Sequence, residues 1–234
     1  EKNIEALRRF TAAGGHFSVA SGRNVQITRP FLRSLPVNAP AILYNGAAVY
    51  DFAEERFLHE EHIDPVLAAD ILRLSLEIYP GGCPQTFHAG DILLYNRDGI
   101  MDHYIENERQ PFAFAPLTDR CERAMKAMVY GEHDQLERVR LAVIDRFGED
   151  AFHCTYSAPF YLEFLPRGVT KGSALRWIEE NVPGFAREDV AAIGDFDNDI
   201  EMLRAASLGA AVDNAPDRVK AAADITVGDN NHSA

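Results

Sequence analysis

Val190-Ala191-Ala192-Ile193-Gly194-Asp195-Phe196-Asp197-Asn198-Asp199 is the stretch on which the reading of the fold turns. Four apolar residues predict a short buried strand, and Gly194 with three acidic residues predicts the turn that ends it. The residues from Asn198 to Ala206 carry a helical pattern, so the segment reads strand, acidic turn, helix. Open parallel sheets bind ligands beyond the carboxyl ends of their strands, which places Asp195, Asn198 and Asp199 where a ligand would sit. Hard carboxylate oxygens suit Mg²⁺, which takes one or two carboxylates and keeps waters or a substrate phosphate. A calcium loop would need Gly at its sixth position and an acid at its twelfth; Ile200 and Ala206 stand there instead. A polar turn that only caps the following helix is the plainer alternative.

Outward from this stretch the same alternation continues. Leu208–Val212 is predicted as a strand, Pro216–Ala223 as a helix and Ile225–Val227 as a last strand. Upstream, Lys171 opens a helix with Ala174, Leu175 and Ile178 on one face. Near the other end, Ile4, Leu7 and Thr11 share a helix face, Phe17–Ala20 reads as a strand ending at Ser21-Gly22, and a second helix runs toward Leu35 through Pro30. Pro40–Tyr44 is a further strand, and Asn45-Gly46 predicts a tight turn into a hairpin.

The middle differs. Asp64-Pro65 starts a helix with Leu67, Ile71, Leu74 and Ile78 on one side, ended by Pro80-Gly81-Gly82. A hairpin over Gln85–His88 and Ile92–Tyr95, a short helix near Met101–Glu108, a strand at Ala124–Tyr130, a helix at Asp134–Phe147 and strands at Ala151–Thr155 and Phe160–Leu165 follow. The economical reading is an α/β domain, residues 1–58 with 167–234, interrupted by an α+β insert over residues 59–166.

The chain has 234 residues, and 23 Lys and Arg against 36 Asp and Glu leave a formal charge of −13. That field repels nucleic acid and anionic membranes, and no basic run offsets it. No apolar stretch approaches the roughly 20 residues of a membrane span. Three cysteines, Cys83, Cys121 and Cys154, form no metal-type pair and suit a reducing cytosol, so a cytoplasmic location is expected. His59-Glu60-Glu61-His62 lacks the spacing of the His-Glu-x-x-His metal motif.

Two further positions attract attention. Lys171 lies at a helix start, where a cation opposes the helix dipole; a bound phosphoryl group would account for it, though a solvated lysine is the usual alternative. Ser21-Gly22 ends a predicted strand with a hydroxyl and backbone N–H groups able to hold a phosphate oxygen, or to cap the following helix.

Taken in order, these segments resemble the haloacid dehalogenase-like hydrolase superfamily, in its Cof-type sugar-phosphate phosphatase branch. Phe17–Arg23 is similar to the second motif, and Tyr44-Asn45-Gly46-Ala47 to the Asn-Gly-Ala turn of that branch. Glu163–Gly172 is similar to the third motif, and Gly194–Asp199 with Glu201-Met202-Leu203 to the fourth. Asp213-Asn214-Ala215 to Ala223 is similar to the segment after it. The resemblance implies a Rossmann-like parallel-sheet core with an inserted α+β cap, and a Mg²⁺-dependent phosphatase for small phosphorylated metabolites such as sugar phosphates. It implies Lys171 and Asp195 as catalytic residues and Asp195 and Asp199 as metal carboxylates. Ser21, Gly22, Asn45, Lys171 and Asn198 would bind phosphate. The cap would choose the substrate, with His88, Tyr95, Arg97 and Tyr104 as its polar and aromatic candidates.

The family's first motif, Asp-x-Asp-Gly-Thr, does not occur in these residues. It carries the aspartate that accepts the phosphoryl group, so the natural protein is expected to be longer and this chain alone inactive. A phosphometabolite-binding protein without the nucleophile, and a phosphomutase on the same scaffold, are the other readings.

Overall fold

The computed structural model describes residues 2–97, 111–185 and 189–230. The short helix expected near Met101–Glu108, and Tyr104 within it, lie outside those residues. The chain divides into two compact units, Glu1–Glu60 with Val169–Ala234, and Glu61–Gly168.

In the first unit a helix over Lys2–Ala12 half-buries Ile4, Leu7 and Thr11 and gives way to Gly14, whose φ is +94°. The strand expected at Phe17–Ala20 forms only a single parallel bridge, Ala20 to Ile42. The bridge is closed by Ile42 N–H to the Val19 carbonyl (3.0 Å) and Ser21 N–H to the Ile42 carbonyl (2.8 Å). One repeat earlier the partner is Pro40, which has no N–H to donate, so the ladder stops. Asn38 takes over there, donating its backbone N–H to the Phe17 carbonyl at 3.0 Å.

The helix Val25–Leu32 follows, capped by Asn24, whose side chain accepts from Ile27 N–H. β1 (Ala41–Leu43), β2 (Ala48–Asp51) and β3 (Arg56–Glu60) form an antiparallel meander. The expected hairpin is β1–β2, and β3 extends it by a third strand.

The second unit opens on the helix Pro65–Ile78, capped by the Asp64 carboxylate, which accepts from Val66 N–H (3.0 Å) and Leu67 N–H (2.8 Å). β4 (Cys83–Phe87), β5 (Ile92–Leu94), β6 (Ala113–Phe114) and β7 (Lys126–Tyr130) precede a helix over His133–Phe147. β8 (His153–Ala158) and β9 (Tyr161–Leu165) complete a six-stranded sheet in the order β6-β5-β4-β7-β9-β8. Alternation along β7 and β9 turns Ala127, Val129, Leu162 and Phe164 to one face, where Ile71, Leu72, Leu136 and Val139 pack against them. The other face carries Lys126 and Glu163, both buried and paired at 2.7 Å. Ser157 donates to the second Glu163 oxygen, and the Lys126 ammonium lies 4.3 Å from the Phe87 ring centre. Burial of a charge is tolerated only with such partners.

The chain returns to the first unit through the helix Lys171–Asn181. β10 (Ala191–Gly194), β11 (Leu208–Val212) and β12 (Ile225–Val227) then form a parallel sheet in that order. The helix expected from Asn198 begins as a 3₁₀ turn over Asp197–Asp199 and becomes α-helical only over Ile200–Ala205. Met202 and Leu203 from it, with Val219, cover Ala192, Ala211 and Val212. On the sheet's opposite face Ile193 is 59% exposed. Among the described residues no helix is long and apolar enough to cross a membrane.

Candidate active site

The carboxyl end of β10 delivers Asp195 to the surface, and the chain then folds back on itself within four residues. One oxygen of the buried Asp199 carboxylate, Oδ2, accepts the backbone N–H of Asp195 (2.9 Å) and of Phe196 (3.3 Å). The turn is that tight because Gly194 has no side chain: a Cβ there would meet the Asp199 Cβ at 2.5 Å. The other oxygen, Oδ1, accepts the Lys171 ammonium at 2.6 Å.

Lys171 reaches this point from the first residue of its helix, which is held by a reciprocal cap. Thr170 Oγ1 accepts Ser173 N–H at 3.0 Å, and Ser173 Oγ accepts Thr170 N–H at 2.8 Å. Gly172 lets the helix approach the next one so closely that any Cβ would strike the Glu201 carbonyl. Lys171 is buried although it opposes the helix dipole, and the Asp199 charge compensates it.

The turn between β1 and β2 supplies the facing wall. Tyr44, Asn45 and Gly46 have φ values of 52°, 57° and 104°, three consecutive residues in the left-handed region. Such strain persists only where surrounding contacts over-determine the backbone. Here Asn45 N–H donates to the Ser21 carbonyl at 3.1 Å, and Gly46 lies against the Thr170 carbonyl without room for a Cβ. Asn198 Nδ2 donates to Asn45 Oδ1 at 2.8 Å, across 153 positions of chain. Gly22 sits beside the Asn45 carboxamide, where a Cβ would lie 2.9 Å from Nδ2. Ser21 Oγ accepts Arg23 N–H at 3.1 Å, so the hydroxyl also serves the turn that leads into the next helix. Burial pushes the Tyr44 phenol well above its ordinary range and keeps it protonated.

All seven residues singled out in the sequence therefore belong to one connected constellation: Ser21-Gly22 to Asn45, Asn45 to Asn198, and Asp199 to Lys171 and Asp195. The insert candidates are placed differently. His88 Nε2 and Tyr95 OH both share the Thr86 hydroxyl (2.8 and 2.7 Å), and the Arg97 guanidinium lies 4.1 Å from the Phe114 ring centre.

Three residues escaped the sequence reading. Arg218 clamps Asp197 through two hydrogen bonds, the longer 2.7 Å. Asn230 Nδ2 donates to Asp195 Oδ2 at 3.0 Å, and Asn214 Oδ1 accepts Asn230 N–H at 3.1 Å. Asn214 and Arg218 lay within a segment already matched to a family pattern; Asn230 carried no local signal.

The donor set bears on a metal. Among the described residues no three His, Cys, Asp or Glu side chains converge. Both Asp199 oxygens are engaged, by Lys171 and by two amides. Asp195 is exposed and fits as one carboxylate ligand of a hydrated Mg²⁺.

A parallel sheet with carboxylates at its strand ends, next to a buried lysine and a polar wall, is the arrangement in which open α/β proteins bind their ligands. All of residues 1–234 match the haloacid dehalogenase-like hydrolase family, and the chain belongs to it. It is 29% identical to the pyridoxal phosphate phosphatase YbhA of Escherichia coli (strain K12), covering 97% of this chain and 86% of that protein. It is 30% identical to the HMP-PP phosphatase of Enterobacter sp. (strain 638), covering 92% of this chain and 78% of that protein. The crystal structure of a haloacid dehalogenase-like hydrolase from Bacteroides thetaiotaomicron superposes with a TM-score of 0.79 at 25% identity, covering 99% of this chain and 88% of that one.

Proposed function

We propose that this site serves a Mg²⁺-dependent phosphatase of small phosphorylated metabolites, with sugar phosphates and phosphorylated cofactors such as pyridoxal phosphate as the substrate class. The observation that carries the reading is the buried Lys171–Asp199 pair, joined through the Asp197–Asp199 turn to Asp195 and through Asn198 to Asn45. Bound Mg²⁺ supplies positive charge beside the phosphoryl oxygens. The chain's own residues supply the rest. Lys171 offsets phosphate charge, Asn198, Ser21 and the Gly22 N–H orient the phosphoryl oxygens, and Asn45 borders them. Asp195 provides the carboxylate for the metal, and Asp199 holds Lys171 and the turn in place.

In the related enzymes' chemistry, as the resemblance implies it, the phosphoryl group passes to an aspartate and then to water. That aspartate belongs to the Asp-x-Asp-Gly-Thr motif, which these 234 residues do not contain, so this chain is expected to bind phosphate without turnover. A phosphometabolite-binding protein is the second reading. A cytoplasmic location accompanies both.

The test is phosphate release from a panel of sugar phosphates and pyridoxal phosphate, with Mg²⁺ and with chelator, beside calorimetric binding of inorganic phosphate. Chelator-sensitive release supports the phosphatase. Phosphate binding without release supports the phosphate site and is the outcome both readings expect of these residues. Folded chain that does neither sinks both.

A further inference from the structure

We propose that Asn230 is the positioning residue that aims the Asp195 carboxylate. The inference rests on the reading of Asp195 as a metal-binding carboxylate. Asp195 is exposed at the end of β10, where a short side chain is otherwise free to rotate. Its Oδ2 accepts the Asn230 amide at 3.0 Å, and Asn230 is itself anchored by its backbone N–H on Asn214 Oδ1 at 3.1 Å. The three residues follow β10, β11 and β12, so three adjacent parallel strands each contribute one member at the same edge of the sheet.

Two features make this more than a surface hydrogen bond. Donation to Oδ2 leaves Oδ1 with no partner among the described residues, so the carboxylate presents one oriented oxygen. The donor is also a neutral amide. Asp199, four residues on, is matched by the ammonium of Lys171, which neutralises it. Asp195 keeps its full charge for a cation while its geometry is held. Groups that orient a ligating carboxylate in this way typically change metal affinity by about 10- to 100-fold when removed.

The experiment titrates Mg²⁺ calorimetrically into the metal-free chain and into Asn230→Ala, Asn214→Ala and Asp195→Asn, with metal-free melting curves for each. Expected are a loss of Mg²⁺ affinity of about 10-fold or more in Asn230→Ala, a smaller loss in Asn214→Ala, and unchanged metal-free melting in both. Asp195→Asn abolishes binding. Affinity in Asn230→Ala within about twofold of the parent, with Asp195→Asn inert, overturns the positioning role and leaves the metal reading intact. A drop in metal-free melting that accounts for the affinity loss also overturns it, since the role would then be structural. A parent chain that takes up no Mg²⁺, or Asp195→Asn that binds like the parent, removes the metal reading itself and this inference with it.

Discussion

Lys171 and Asp199 form an ion pair of 2.6 Å with each side chain only 6% exposed, and the same carboxylate closes the turn that carries Asp195. Removing one partner of a buried pair leaves an uncompensated charge. Asp199→Ala is therefore expected to cost about 3–5 kcal/mol of folding stability. Asp199→Asn keeps an acceptor for the two amides and should cost less. Urea denaturation of the two variants measures the difference; equal losses would mean that the amide bonds contribute nothing.

Lys126 and Glu163 make a second buried pair, on adjacent strands β7 and β9 of the other unit. Lys126→Met and Glu163→Gln are each expected to destabilise by about 3–5 kcal/mol. The double variant should lose less than the sum, with a coupling on the order of 1–3 kcal/mol. Additive losses in a double-mutant cycle would show that the pair is not coupled.

Gly46 has a φ of +104° and abuts the Thr170 carbonyl. Gly46→Ala meets both a disfavoured backbone and a backbone clash, and is expected to lose at least about 1–3 kcal/mol. Because Thr170 precedes Lys171, phosphate binding should weaken along with thermal stability. A variant as stable as the parent would contradict the packing.

His88 is held below its ordinary range chiefly by burial, against the opposing bond to the Arg123 backbone and the nearby Asp91 charge. The unfolded chain takes up the proton near pH 6.5, while folded His88 still resists it. Stability from this group is thus present above about pH 6.5 and is lost as pH falls toward the lower folded value. His88→Gln should flatten the slope of stability between about pH 7.5 and 5. An unchanged slope in urea titrations across that range would exclude His88 as its source.

Burial pushes the Cys154 thiol up to about 12, and Cys83 and Cys121 are buried. The thiolate is the reactive form, so alkylation by iodoacetamide at about pH 8 should be slow in the folded chain and fast after denaturation. Rapid labelling of Cys154 under native conditions, read by mass spectrometry, would contradict this burial.

Local chemistry made much of the molecule legible. Asp64-Pro65 announced a helix because capping and a fixed φ act within one turn. The strands at Leu208–Val212 and Ile225–Val227 appear with the bounds expected from their apolar runs. Gly194–Asp199, Lys171, Asn45 and Ser21-Gly22 stood out because phosphate and metal chemistry demands particular residue types beside strand ends and helix starts. Other features depended on partners far along the chain. Phe17–Ala20 has the composition of a strand, yet Pro40, 20 residues beyond, withholds the N–H that would extend its ladder. Glu163 lay in a matched motif, but only strand register sets it across from Met128 and beside Lys126. Asn230 reaches Asp195 across 35 positions. Periodicity, capping and turn chemistry act over a few residues, so the sequence alone determined most of the elements and the seven residues it singled out for the site. Which oxygen of each carboxylate is engaged, and by what, is decided by contacts between segments remote in the chain, and these exist only once the fold is closed.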